Sequence, residues 1–196
     1  MTDSSVQTIS GDTMCIIPIN KSDRVAIFID NANLVMSTVK EPSIQRVVYE
    51  SLVKELTAGR NLRFVHAHDT YTHFEDGTVN RGFEHHLSNL GITPLFRDSF
   101  SPDSNTQKEV DTAMTLDIYK LAAADCFDTA IIVSGDRDFV PVAEELERMG
   151  KNVEIACTEE SISGFLRTHG TRFWNLSEMT ITELFDRNYN MNTKEE

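Results

Sequence analysis

The chain has 196 residues, 40% hydrophobic and 25% charged, which is the size and usage of one globular domain with extensions at its ends. Its net charge of −13 argues against a protein that wraps nucleic acid with a broad basic face, but not against an acidic site that a bound cation neutralises. No apolar run is long enough to span a membrane, Met1 to Ser10 lack the basic-then-apolar order of a signal peptide, and Cys15, Cys126 and Cys157 are isolated and odd in number, so the expectation is a cytoplasmic protein with reduced thiols.

Residues 1–22 read as an N-terminal extension with an apolar patch from Met14 to Ile19, residues 23–187 as one domain, and residues 188–196 as a polar tail. Within the domain, Arg24 to Asp30 is a Val- and Ile-rich run, the pattern of a strand buried on both faces. Ser43 to Thr57 has helical spacing through Val47, Leu52, Val53 and Leu56, and Asn61 to His68 reads as a strand. Val79 to Leu90 predicts a helix stopped by Gly91, followed by a short strand from Thr93 to Phe96. Lys108 to Ala124 is a strong helix, and Thr129 to Ser134 a strand. Phe139 to Met149 predicts a helix ended by Gly150, Asn152 to Cys157 a strand, Ser161 to Thr168 a short helix, and Arg172 to Leu176 a last strand. Strands alternating with helices predict an α/β domain with a mainly parallel central sheet between two helical layers.

In such sheets ligands bind outside the carboxyl ends of the strands, and the polar residues there are acidic. Asp30 closes the first apolar strand, with Asn31 and Asn33 in the turn that follows; a charge there needs solvent, a partner or a metal. Asp136 and Asp138 follow the strand ending at Ser134, with Gly135 making the turn, and two carboxylates that close repel unless a cation or a helix N-terminus compensates. Asp111 falls in the first turn of the helix starting near Lys108, at the same edge of the sheet. Each could serve as an ordinary cap or helix-dipole residue. Together, Asp30, Asp111, Asp136 and Asp138 make an oxygen-only set that suits Mg²⁺ or Mn²⁺, able to activate water against a phosphodiester.

The segments Phe28-Ile-Asp-Asn-Ala-Asn33, Lys108-Glu-Val-Asp111 and Ile132-Val-Ser-Gly-Asp-Arg-Asp-Phe139, with Gly150-Lys-Asn-Val153 after them, resemble the motifs of the NYN family (LabA-type proteins), over about Arg24 to Leu176. That family is similar to PIN and FLAP-type nucleases. The resemblance implies a PIN-like fold and metal-dependent cleavage of RNA. Single-stranded RNA is the favoured partner. It implies that Asp30, Asp111, Asp136 and Asp138 are ligands, that Asn33 supports the site, and that Lys108 contacts substrate phosphate. Ser134 is a further candidate, orienting Asp30 or a water, or serving as a turn hydroxyl.

Other residues read more plainly. Asp117 lies about 120° around the helix from Asp111 and is expected to bond a neighbouring element or face solvent. His66 and His68 share a strand face, but with no third ligand in view they are expected to be half-exposed strand histidines. His85 and His86 are expected on a helix surface. His73, between Tyr71 and Phe74, lies in an expected loop that with Arg81 and Arg97 could grip single-stranded RNA. The polar stretch Phe100 to Gln107 is expected to be a loop beside the site. The N-terminal patch and Ile181 to Phe185 could serve a homodimer interface or pack within the chain. A non-catalytic PIN-like scaffold that binds RNA or protein is the alternative function, and the acidic charge favours it. A haloacid-dehalogenase phosphatase needs a second aspartate two residues after Asp30, where Ala32 stands, and no glycine-rich dinucleotide motif follows the first strand.

Overall fold

The computed structural model describes residues 18–40, 45–98 and 105–184. In chain order the elements are β1 (Arg24–Asp30), α1 (Asn31–Thr38), β2 (Gln45–Val47), α2 (Tyr49–Thr57), β3 (Asn61–Thr70), β4 (Thr72–His73), β5 (Val79–Asn80), α3 (Gly82–Asn89), β6 (Thr93–Arg97), α4 (Asn105–Ala123), β7 (Thr129–Val133), α5 (Val140–Arg148), β8 (Asn152–Cys157), α6 (Gly164–Thr168), β9 (Arg172–Asn175) and β10 (Thr182–Leu184). Short 3₁₀ turns at Arg137–Phe139 and Leu176–Glu178 precede α5 and follow β9.

Six strands form one sheet in the order β6-β3-β1-β7-β8-β9, and every pairing in it is parallel. Alternate residues of β1 feed two cores. Val25, Ile27 and Ile29 pack with Leu34, Leu52, Leu56 and Leu87 on one face. Ala26 and Phe28 pack with Met114, Ile118, Phe127 and Phe139 on the other. A strand that must be apolar toward both layers reads as an unbroken hydrophobic run, so β1 was legible from its sequence. The chain runs outward from β1 through β3 to β6, then returns to the other side of β1 for β7, β8 and β9. The topological switch therefore lies between β1 and β7, where open parallel sheets place their ligand crevice.

Several expectations change. Of the helix predicted over Ser43–Thr57, the first two residues lie outside the described residues and the rest is β2 followed by α2, because Val47 and its neighbours pair antiparallel with β10, a partner far away in sequence. That pairing, with Ile181 fully buried in the core, gives the Ile181–Leu184 stretch an intramolecular role. Val79–Asn80 forms a two-residue strand against β4, closing a hairpin around Asp76 and Gly77, and the helix begins only at Gly82. His73 therefore sits in a strand, with its Nε2 2.9 Å from Asp98 Oδ1. Asn31 to Asn33 belong to a helix rather than a plain turn. The helix predicted from Ser161 starts at Gly164, with the Ser163 hydroxyl accepting from the Leu166 N–H. The α4 helix starts at Asn105, so Asn105 to Gln107 are helical; the rest of the predicted loop at Phe100–Gln107 and the patch at Met14–Ile17 lie outside the described residues.

Candidate active site

Asp30 is the last residue of β1 and the N-cap of α1. Its Oδ1 accepts from the Asn33 backbone N–H at 3.1 Å, and its Oδ2 accepts from the Ser134 hydroxyl at 3.0 Å. The links continue into the segment after β7. The Asn33 side-chain carbonyl accepts from the Gly135 N–H at 3.1 Å, and the Ser134 oxygen accepts from the Asp136 N–H. Asp136 caps the Arg137–Phe139 turn, accepting from the Asp138 N–H at 2.9 Å. Asp30, Asn33, Ser134, Asp136 and Asp138 thus form one hydrogen-bonded chain across the β1/β7 switch. The capping readings of Asp30 and Asp136 both hold, and neither uses every lone pair of its carboxylate.

Gly135 is required by close approach, not by a left-handed turn. A Cβ there would lie 2.3 Å from the Ser161 carbonyl oxygen. The loop after β8 therefore presses directly on the turn that carries Asp136.

Asp111 differs from its expectation. Because α4 starts at Asn105, Asp111 lies in the second turn, beyond the region where the helix dipole favours an acid. It is half-buried. Helical geometry sets Asp111 and Asp117 on opposite flanks of the buried Met114. Asp117 faces β3, and α4 also packs against the Arg137–Phe139 turn. Lys108 lines a groove of about 470 Å³ with Arg97, Glu109, Thr112, Ala113 and Leu116.

The electrostatics are one-sided. Asp30 is only 2% exposed. Burial raises its pKa, and the nearby charges of Asp136 and Asp69 add to that. The Asn33 N–H and the Ser134 hydroxyl oppose the shift without cancelling it. Asp69 is likewise raised by burial, against hydrogen bonds from the Thr70 N–H and the Asn31 amide. The Asn31 carbonyl in turn accepts from the Tyr49 hydroxyl. Asp69 is a site neighbour that sequence reading passed over; its position at the end of β3, beside the end of β1, was the available signal. Among the described residues, no Lys or Arg pairs with Asp30, Asp136 or Asp138. Elsewhere the fold does compensate its acids: Asp128 and Asp125 meet Arg24, and Glu154 meets Arg60. Crowded oxygen donors without a counter-charge fit a hard divalent cation.

The family model for the NYN domain matches residues 24–177. The chain belongs to the NYN domain family. NYN domains belong to the PIN-like nuclease superfamily, and the six-stranded parallel sheet between helices is the α/β fold expected of one. Among solved structures, a protein of unknown function from Vibrio parahaemolyticus superimposes with a TM-score of 0.65 at 21% identity, covering 83% of this chain and 98% of that one. No curated protein matches the chain.

This NYN domain also gathers a second set of donors. His66 Nδ1 lies 2.7 Å and His68 Nε2 3.2 Å from the same Asp117 oxygen. The expected absence of a third group near the histidines is overturned, since Asp117 arrives from α4 rather than from the strand. His68 is buried rather than half-exposed. Burial works to raise the Asp117 pKa, but the hydrogen bonds and charges of His66 and His68 outweigh it and hold the carboxyl well below its usual range. Of the thiols, Cys157 is pushed up to about 11 by burial, which makes it inert. No helix among the described residues is long and apolar enough to cross a membrane.

Proposed function

We propose that this NYN domain is a metal-dependent ribonuclease, hydrolysing phosphodiester bonds of single-stranded RNA at Asp30, Asp111, Asp136 and Asp138. The observation that supports it most is the grouping of Asp30, Asp136 and Asp138 at the β1/β7 switch, with which no Lys or Arg pairs among the described residues, Asp30 being buried and its pKa raised by burial and by like charge. Asp30, Asp111, Asp136 and Asp138 would hold Mg²⁺ or Mn²⁺. Bound there, the cation supplies neutralisation of phosphate charge and a water of lowered pKa. The chain's own residues do the rest. The Ser134 hydroxyl and the Asn33 N–H fix the Asp30 carboxylate, one donor to each oxygen. The Asn33 carbonyl locks the Gly135 backbone, and so the placement of Asp136. Lys108 and Arg97, in one groove, attract the phosphate backbone, locally rather than over a wide face.

The net charge of −13 favours a second reading, a non-catalytic scaffold that binds RNA or a protein. Cleavage of labelled single-stranded RNA by the parent and by Asp136→Asn separates the two. The substituted amide keeps an oxygen for the Asp138 N–H, so the fold is retained and the melting midpoint is unchanged or raised. The nuclease reading predicts cleavage that EDTA stops and that Asp136→Asn lowers by at least about 100-fold. A variant that cuts as fast as the parent refutes the mechanism. A folded parent that cuts with neither metal favours the scaffold.

A further inference from the structure

We propose that His66, His68 and Asp117 form a second metal site, selective for a transition ion such as Zn²⁺ and chemically distinct from the carboxylate set. The inference does not depend on the nuclease reading. Three donors come from two elements that the fold packs together: His66 and His68 from one face of β3, and Asp117 from α4. One ligand atom from each residue lies within 4.8 Å of the other two. An ion bound at about 2.1 Å keeps adjacent donors roughly 3.0 Å apart in an octahedron and roughly 3.4 Å apart in a tetrahedron. The two nitrogens lie 2.7 and 3.2 Å from the Asp117 oxygen, close to these spacings, and within 4.8 Å of each other. Two imidazoles and one carboxylate suit Zn²⁺, Co²⁺, Fe²⁺ or Mn²⁺ rather than Mg²⁺ or Ca²⁺. Three protein ligands leave at least one position open for water, the pattern of reactive rather than purely structural sites.

Packing holds the ligand geometry in place: His68 is 2% exposed, with its Nε2 turned toward the Asp117 oxygen. His66 and Asp117 are partly open, at 16% and 22%, which gives an ion and water access. The site also adjoins the carboxylate chain, since His68 is the cross-strand partner of Asp30 in the β1–β3 register. An ion held by His68 would therefore be felt at Asp30.

The experiment titrates EDTA-stripped protein with Co²⁺ and then Zn²⁺, in the Asp136→Asn background so that the carboxylate cluster is weakened. The expected result is one equivalent of Co²⁺ with visible ligand-field absorption, displaced by Zn²⁺. His66→Asn and Asp117→Asn, both at partly exposed positions, each weaken binding by at least about 100-fold. Circular dichroism of the metal-free variants checks that they remain folded. If a variant does not fold, histidine proton shifts on Zn²⁺ addition to the parent decide, with only His66 and His68 expected to respond. Unchanged Co²⁺ affinity in both folded variants, or no absorption in the parent, overturns the site and leaves a metal-free hydrogen-bonded triad. Mg²⁺-dependent RNA cleavage is read separately, so failure here and failure of the nuclease reading are distinguishable.

Discussion

Asp30 loses its water on burial and gains two donors, while Asp136 and Asp69 add negative charge beside it. Its folded pKa therefore lies above its unfolded value. The sign follows: the folded state binds the extra proton, so this group favours folding at low pH and opposes it as pH rises through the folded pKa. Asp30→Asn should raise the melting midpoint of metal-free protein at neutral pH. Its advantage over the parent should shrink as pH falls, because the parent's carboxyl then becomes neutral as well. Thermal melts of both proteins in EDTA across a pH series check this, and an advantage that widens on acidification contradicts it. Asp30 was legible because a charge at the end of an apolar strand stands out. Asp69 was not, because its relevance comes from the Asn31 amide and the end of β1, neither adjacent to it in sequence. The bond from Asp117 to a neighbouring element was legible from its place on the helix; its histidine partners could be paired with it only once α4 lay across β3.

At the scale of elements, the turn after β7 depends on Gly135. A methyl group there meets the Ser161 carbonyl at 2.3 Å, and backbone cannot rotate away as a side chain can. Gly135→Ala should cost about 1–3 kcal/mol and displace Asp136, read as a lower urea midpoint together with lost metal binding. A variant with the parent's midpoint would show that the loop after β8 yields freely. Outside the carboxylate set, Glu154 accepts two bonds from Arg60 and one from the Trp174 indole, joining the α2–β3 turn, β8 and β9. Arg60 and Glu154 are both buried. Glu154→Ala should therefore destabilise the fold by about 3–5 kcal/mol, by stranding a buried guanidinium, with no direct effect on the carboxylate site. Chemical denaturation measures it. The elements of the main sheet were legible because β1, β7 and β8 must be apolar toward two layers, and α4 presents Met114, Ile118 and Ala122 to one core. The pieces missed obey other constraints. β2 exists because β10 pairs with it across more than a hundred residues of chain. The β4–β5 hairpin was signalled by Asp76-Gly77, a strong turn pair that the helical spacing of the following residues obscured.

For the whole molecule, the charge of −13 leaves room for only local contact with a polyanion. With Arg97 and Lys108 as the basic residues of the groove, the slope of log binding constant against log salt should be roughly −1 to −2 for single-stranded RNA. A much steeper slope would reveal a basic surface elsewhere and move the RNA path. The central claim is that Asp30, Asp111, Asp136 and Asp138 meet around a divalent ion. Anomalous scattering from crystals soaked in Mn²⁺ tests it most directly. The account predicts a manganese peak among these four carboxylates, lost in Asp136→Asn crystals. Full Mn²⁺ occupancy elsewhere, with none among the four aspartates, would contradict it.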